Sequence, residues 1–343
     1  MIAAVLKEYG FSVNACTVQP FGSGLINNTW KIICSNKEYI LQRINNKIFK
    51  QPEYIAENIR SVAEYLEENS PDYFFVAPLK TTTGQEMLFS NDDGYFRLFP
   101  FVKNSHTIDV VTNPAQAYEA AKQFGAFTKK LSGFSANDLK ITLPDFHNLT
   151  LRYRQFEKAL EEGNTERIKA SSVEIDLIHQ YKNIAAEFEI IKLDSDFKIR
   201  VTHHDSKISN VLFDEKDNGL CVIDLDTVMP GYFISDVGDM LRTYLSPANE
   251  EEKDFTKIEI RPGYLNAIVT GYLSEMNGEL TEKEKHSFIY AGKFMIYMQA
   301  LRFLTDHLNN DIYYGSKYEG HNLMRAKNQL VLLERLKEKS IAL

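Results

Sequence analysis

The sequence predicts an α+β chain in two lobes: a small β-rich N-lobe over residues 1–102 and a larger, mainly helical C-lobe over residues 103–343. Three observations carry this. Short β-like runs divided by turn residues dominate up to about residue 103. Beyond it, apolar residues recur at helical spacing. One β-rich island, Lys198 to Asp226, interrupts the helices and gathers the polar residues of chemical interest. A chain of 343 residues, 44% hydrophobic and 25% charged, suits two such units with a substantial core and excludes disorder and collagen-like repeats.

In the N-lobe the expected strands are Thr29 to Cys34, Glu38 to Arg43, Phe74 to Pro78, Glu86 to Ser90 and Tyr95 to Pro100. Ser35-Asn36, Thr83-Gly84 and Asp92-Asp93-Gly94 supply turns. One helix, Pro52 to Glu68, puts Ile55, Ile59, Val62 and Leu66 on one face, so a mostly antiparallel sheet with one helix is expected. In the C-lobe, Asn113 can cap a helix with Pro114 at its first position, where the missing N–H costs nothing. Ala120, Phe124, Phe127 and Leu131 then form a packed stripe. A second helical stretch runs from Leu149 to Glu187. Thr281 and Glu284 form a capping box before a helix reaching about Leu308, apolar on most faces and therefore central.

Lys and Arg number 39 against 47 Asp and Glu, a net charge of −8. Such a chain has no global field for nucleic acid or an anionic membrane, so an anionic ligand must be held by local positive groups. Cys16, Cys34 and Cys221 match no metal spacing, and their odd number suits no disulfide framework; buried free thiols in a reducing compartment are expected. The start MIAAVLKEYG has too short an apolar run for a signal peptide, and no stretch approaches the ~18 apolar residues that cross a bilayer. The expected setting is cytoplasmic.

The island reads RVTHHDSKISNVLFDEKDNGLCVIDLD from Arg200. Asp205 could orient and deprotonate an attacking hydroxyl, and Asn210 and Asp224 could offer oxygen ligands to Mg²⁺. Val211-Leu212-Phe213 can pair with Leu220 to Ile223. A five-residue loop over 215–219 sets Asn210 opposite Asp224, whereas a two-residue turn at Asn218-Gly219 sets it opposite Thr227. Both keep the Asn and the Asp at one end of a hairpin.

The order His203-x-Asp205-x-Lys207-x-x-Asn210, then Ile223-Asp224, resembles the catalytic loop and metal-binding Asp of protein kinases and their small-molecule relatives. That resemblance implies a bilobal protein-kinase-like fold. It makes His203 structural, and Lys207 the cation beside the transferring phosphate. Upstream, Gly22, Ser23, Gly24, Asn28 and Thr29 belong to a segment, Phe21 to Thr29, whose glycines would let the backbone close over the phosphates of ATP, although Asn27 stands where a third Gly is usual. Arg43 is the nearest candidate for the basic residue that meets the α/β-phosphates, with Glu57, or Glu53 one turn earlier, as its partner. Pro100, Phe101 and Val102 would be the hinge that receives adenine. Asp236 would support the catalytic loop.

The whole set is similar to the aminoglycoside phosphotransferase/choline kinase superfamily, from Gly22 to about Tyr314. Four stretches most resemble bacterial N-acetylhexosamine 1-kinases: Gly24 to Thr29, Thr202 to Asn210, Asp224 to Gly231, and Leu301 to Asp306. The resemblance implies ATP and Mg²⁺ as cofactors and the anomeric hydroxyl of an N-acetylhexosamine as acceptor. Arg302 matches a sugar-contacting arginine and Tyr313 a pocket tyrosine. The chain departs from the pattern at Asn28, His204 and Ser209, where Asp, Asn and Asn are expected, and His204 would touch the acceptor pocket. An Arg in a mostly apolar helix needs a partner or a ligand, and Asp306 at i+4 is the structural alternative. Kinases of choline, ethanolamine, an aminoglycoside or a methylthio sugar are rival readings, as is a nucleotide-binding pseudokinase scaffold.

Overall fold

A computed structural model describes residues 1–22 and 26–340. The N-lobe runs α1 (Ile2–Glu8), β1 (Cys16–Pro20), β2 (Asn28–Cys34), β3 (Lys37–Arg43), α2 (Pro52–Asn69), β4 (Leu88–Ser90) and β5 (Gly94–Pro100). Its five strands form one antiparallel sheet in the order β1-β2-β3-β5-β4. Sequence reasoning had not reached α1 or β1. The stretch Phe74 to Pro78 is not a strand; only Leu79 bridges to Leu98, because its N–H donates to the Leu98 carbonyl at 2.6 Å.

The C-lobe begins with β6 (Ser105–His106) and α3 (Pro114–Lys130), capped by the Asn113 side chain accepting from the Gln116 N–H. Ala120, Phe124, Phe127 and Leu131 are all buried, as their spacing requires. The expected helical stretch from Leu149 divides into α4 (Leu149–Glu162), α5 (Thr165–Ala170), α6 (Ser172–Gln180) and α7 (Asn183–Leu193). Gly163 makes the first break: a Cβ there would lie 2.4 Å from the Ala159 carbonyl oxygen and 2.9 Å from that of Leu308. Then follow β7 (Arg200–Thr202), β8 (Val211–Asp214), β9 (Gly219–Val222), β10 (Met229–Gly231), α8 (Phe233–Tyr244) and α9 (Pro262–Met276). The expected capping box holds, with Thr281 at the head of α10 (Glu282–His286). It precedes rather than opens the central helix α11 (Phe288–Leu308), and α12 (His321–Ser340) ends the chain. The island thus splits into two small sheets, β10-β7 and β6-β8-β9.

The expectation of three free thiols fails. Cys16 and Cys34 are directly opposed where β1 pairs with β2, their Cα atoms 4.3 Å apart, and they form a disulfide. Cys221 alone is free, and buried. Parity misled because one cross-strand bridge needs only two cysteines.

Two apolar clusters organise the molecule. Val5, Leu6, Ile32, Leu41, Phe96 and Leu98 form the smaller one, between α1 and the sheet. The larger is the C-lobe core around α11, and it includes Ile55, Ile59, Val62 and Leu66 of α2. Helix α2 therefore packs with the C-lobe. Its Asn58, 2% exposed, seals the joint: Nδ2 donates to the carbonyls of Lys140 (2.8 Å) and Val228 (2.9 Å), and Oδ1 accepts the Lys140 N–H (2.7 Å). Among the described residues no helix is long and apolar enough to cross a membrane.

Candidate active site

The loop leaving β7 is fixed from beneath by a buried carboxylate. Asp236, in the first turn of α8, accepts the His203 N–H through Oδ2 (3.0 Å) and the His204 N–H through Oδ1 (2.7 Å), and its carbonyl accepts the Ser206 hydroxyl (2.6 Å). Burial pushes its carboxyl up to about 7; the two N–H bonds oppose that shift, and the charges of Asp239 and Asp205 add to it. Tyr244 donates to the Ser206 carbonyl and Thr227 to that of His203, both at 2.6 Å. The His203 ring donates from Nε2 to the Ile223 carbonyl (2.9 Å) and accepts the Asp205 N–H at Nδ1 (3.3 Å), which fixes a neutral tautomer. Burial, only partly opposed by that carbonyl, holds its pKa below the ordinary value.

This frame presents Asp205. Asn210 donates through Nδ2 to the Asp205 carbonyl (2.8 Å) and to its Oδ2 (3.0 Å), and Lys207 Nζ lies 3.1 Å from the same Oδ2. The Asp205 side chain keeps 23% of its surface open. Burial works against the Lys207 ammonium, but the carboxylates of Asp205, Asp239 and Asp224 outweigh it and raise its pKa.

The hairpin adopts neither anticipated register. Val211 pairs with Val222 and Leu212 with Cys221, then an irregularity sets Phe213 opposite Gly219. The Asp214 carboxylate, accepting the N–H groups of Lys216 and Asn218, shapes a turn that neither count allowed for. Asn210 consequently faces Ile223, whose N–H donates to its carbonyl at 2.8 Å. Asp224 follows with φ 60° and ψ 59°, a left-handed conformation that breaks the strand alternation. It remains exposed while Leu225, Asp226 and Thr227 are buried. Desolvation at the cleft floor, then Asp226 and Asp205, push its carboxyl up to about 7. The Asp224 carboxylate makes no hydrogen bond or ion pair with any described residue. A carboxylate crowded by Asp226 and Asp205, whose repulsion together with desolvation outweighs the pull of Arg97 and Lys207, suits a divalent ion. The two Asn210 Nδ2 bonds leave its amide oxygen as a second ligand. No cluster of three or more His, Cys, Asp or Glu able to hold a metal occurs among the described residues. An Asn–Asp pair fits Mg²⁺, which keeps places for phosphate and water.

The N-lobe side departs from expectation. In the β3 register Arg43 stands with Phe96 and Asn28, on the face that carries Leu41, Trp30 and Leu98 toward α1. Arg43 makes no ion pair with Glu57 or Glu53; Glu53 instead accepts the Tyr95 hydroxyl. Arg43 was chosen as the nearest base in the strand, but a shift of one residue changes the face. The opposite face carries Gln42 and Arg97. Arg97 is 1% exposed, donates to Gln42 Oε1 from Nε (3.0 Å) and Nη2 (2.8 Å), and places Nη1 2.5 Å from Asp226 Oδ1. Asn27 donates to the other Asp226 oxygen at 2.8 Å. Sequence reasoning missed both Arg97 and Asp226. The signal was there, since a base inside the apolar run Phe96-Arg97-Leu98-Phe99 requires a partner.

Of the residues expected to close over phosphates, Ser23 and Gly24 lie outside the described residues. Gly22 has φ 78°, with open space where a Cβ would be. Asn28 and Thr29 open β2, and the Thr29 carbonyl accepts the Phe21 N–H (3.0 Å). The Phe21 ring meets Phe101 edge-on at 6.1 Å, so the segment starts over the expected hinge. There the Phe101 N–H is committed to the Glu38 carbonyl and the Val102 carbonyl to the Ser105 hydroxyl. The Val102 N–H and the Phe101 carbonyl have no protein partner among the described residues, and Pro100 ends β5.

The acceptor candidates divide. His204 is 6% exposed, its Nδ1 2.8 Å from the Ser235 hydroxyl and its Nε2 3.3 Å from the Pro230 carbonyl. With both nitrogens engaged beneath Gly231 it does not reach an acceptor, which corrects its expected role. Burial drives its pKa down to about 4. Arg302 and Tyr313 do line a cavity of about 440 Å³ between α4 and α11, together with Arg152, Thr305 and Tyr314. Asp306 does not pair with Arg302: its carboxylate accepts the N–H groups of Tyr313 (2.7 Å) and Tyr314 (2.9 Å) and the Asn322 amide (3.1 Å).

A model of the phosphotransferase enzyme family matches residues 17–277, more than half of the chain. Solved structures share the fold over nearly their full lengths. A microcompartment-associated aminopropanol kinase is 17% identical, with 98% of this chain and 97% of that one covered and a TM-score of 0.63. A spectinomycin phosphotransferase in complex with ADP and spectinomycin is 14% identical, with 99% and 97% covered and a TM-score of 0.61. A choline kinase from Cryptosporidium parvum Iowa II is 13% identical, with 99% and 96% covered and a TM-score of 0.61. At these identities the likeness shows the fold, a protein-kinase-like one with a small antiparallel-sheet N-lobe and a larger helical C-lobe.

Proposed function

Because the chain belongs to the phosphotransferase enzyme family, we propose that it is an ATP-dependent small-molecule kinase whose acceptor is the anomeric hydroxyl of an N-acetylhexosamine. Two observations together support this above all: Asp205 is clamped by Asn210 and Lys207, and Arg302 and Tyr313 line a cavity whose uncompensated charges are guanidiniums. A cationic acceptor such as choline or an amino alcohol would be repelled there. A sugar rich in hydroxyl and acyl oxygens would find donors.

ATP binds between the lobes, its phosphates under the segment from Gly22 to Thr29 and its adenine against Pro100, Phe101 and Val102. Asn210 through its amide oxygen and Asp224 through its carboxylate would hold Mg²⁺, which when bound supplies neutralising charge at the phosphates. Asp205 orients the acceptor hydroxyl and takes its proton as the γ-phosphoryl group transfers in line. Lys207 offsets the negative charge spread over that group. Arg302 and Tyr313 hold the sugar.

Asp205→Asn should lower turnover by roughly 10²–10⁴-fold and leave ATP affinity unchanged, as read by the fluorescence of Trp30, the single tryptophan. Near wild-type turnover would end this assignment. Product NMR on an acceptor panel identifies the sugar and the phosphorylated oxygen; choline, ethanolamine or an aminoglycoside as the best acceptor would replace the sugar reading, and no ATP consumption at all would indicate a scaffold.

A further inference from the structure

The cavity between α4 and α11 holds two arginines that face no acid. Glu162 at its rim is 3.5 Å from Lys158, and the Asp306 carboxylate is committed to two backbone N–H groups and Asn322. No carboxylate lies within ion-pair distance of Arg152 or Arg302 among the described residues. Arg152 donates to the Asp145 carbonyl (2.8 Å) and Gln155 (3.0 Å), and its Nε is buried without a partner. Arg302 makes only long contacts, 3.4 Å to Gln299 and 3.5 Å to the Tyr313 hydroxyl, and otherwise rests against the rings of Phe146, Tyr313 and Tyr314. The Thr305 hydroxyl, also at the wall, is buried and unpartnered. Burial first and the Arg302 charge second lower the pKa of Arg152, against smaller opposing pulls from Tyr313, Tyr314 and Asp145. In a chain with a surplus of acids, this arrangement lacks an anion.

A row of rings connects the cavity wall to the loop that carries Asp205. The Arg302 guanidinium is 5.8 Å from the Phe146 ring, Phe146 stacks on His147 at 4.3 Å, and His147 meets His204, the neighbour of Asp205, at 5.3 Å. An acceptor whose hydroxyl meets Asp205 and whose far end reaches past this row would meet the arginines.

We propose that Arg152 and Arg302 bind an oxyanion carried by the acceptor, so that the preferred substrate is an acidic sugar bearing a carboxylate, a sulfate ester or a phosphate ester. This rests on the sugar-kinase reading above and narrows it. The guanidinium forks suit all three groups, since each presents two or more oxygens to parallel N–H donors.

The test measures kcat/KM of the full chain with N-acetylglucosamine, its 6-sulfate, its 6-phosphate, a 3-O-carboxyalkyl ether of it, and cationic glucosamine. At least one acidic sugar should exceed the neutral one by roughly 10-fold or more, glucosamine should be poorest, and the ranking of the three acids identifies the anion. Arg152→Gln should remove that advantage and change the neutral sugar by less than about 3-fold. Arg152→Lys, which keeps the charge and loses the fork, should fall between and guards against a folding defect. A neutral sugar equal to or better than all three acids, or an equal loss for neutral and acidic sugars in Arg152→Gln, overturns the proposal and leaves the sugar kinase standing. If no sugar is phosphorylated the kinase reading fails separately. Calorimetry with the same acidic sugars then decides: binding weakened by Arg152→Gln supports the anion site, and its absence overturns it.

Discussion

Asp226→Asn is the sharpest perturbation of the joint between the lobes. The pair it breaks is sealed, with Arg97 1% and Asp226 4% exposed at the side chain and 2.5 Å between Nη1 and Oδ1. Asn keeps the size of the side chain and an oxygen for Asn27, so the loss is chiefly one of charge. At an effective dielectric of about 20, unit charges ~4 Å apart attract by about 4 kcal/mol. Stranding one partner of a buried pair costs about 3–5 kcal/mol. Asp226→Asn should therefore lose about 3–5 kcal/mol of folding stability, with Arg97→Met similarly impaired. The double variant strands no charge, so it should be at least ~2 kcal/mol more stable than the sum of the single losses predicts. Urea titrations followed by Trp30, whose strand β2 lies two places from β5 in the sheet, provide the assay. A single loss under about 1 kcal/mol, or simple additivity in the double variant, would refute the buried pair as the joint.

Two further outcomes follow from the same frame. His204 is held neutral, its pKa lowered by burial to about 4, so its contribution is present above its ordinary value near 6.5 and disappears as pH falls toward 4. The term amounts to about 3 kcal/mol. His204→Asn, which suits the left-handed φ of 67°, should remove it, so the stability gap between variant and wild type should shift by that amount between pH 7.5 and 4; parallel pH profiles would contradict the assignment. Asn58→Ala strands two backbone carbonyls and one N–H at the α2 joint and should cost about 2–4 kcal/mol, measured by thermal melting; a loss within the noise would mean water replaces the side chain.

Much of the fold was legible because its signals are local. The Asn113-Pro114 start of α3, the Thr281–Glu284 box and the buried stripe from Ala120 to Leu131 each depend on neighbours within a few turns. The grouping of Asp205, Lys207, Asn210 and Asp224 was legible for the same reason, since one loop and one hairpin carry all four. What failed depended on facing. Arg43 was picked by proximity in sequence, and the two-residue period of β3 turned it toward α1. The hairpin registers failed on an irregularity at Gly219 that the turn residues did not announce. His204 looked free because its burial comes from Ser235, Pro230 and Gly231, residues far along the chain.

These failures share a structural logic. In the expected arrangement a base on β3 would pair with an acid on the N-lobe helix and tie the strands to it. Here α2 is already fixed to the C-lobe by its apolar face and by Asn58, so a pair between β3 and α2 is not needed to place it. The tie runs instead from β5 to the loop after Asp224. Arg97 holds one Asp226 oxygen and Asn27, just before β2, holds the other. The Asn27 oxygen in turn accepts the Asn45 N–H at 3.0 Å, beyond the end of β3. One buried carboxylate thus contacts both the sheet and the segment that leads into β2. It sits two residues from Asp224, so the tie between the lobes and the candidate metal ligand share one short turn.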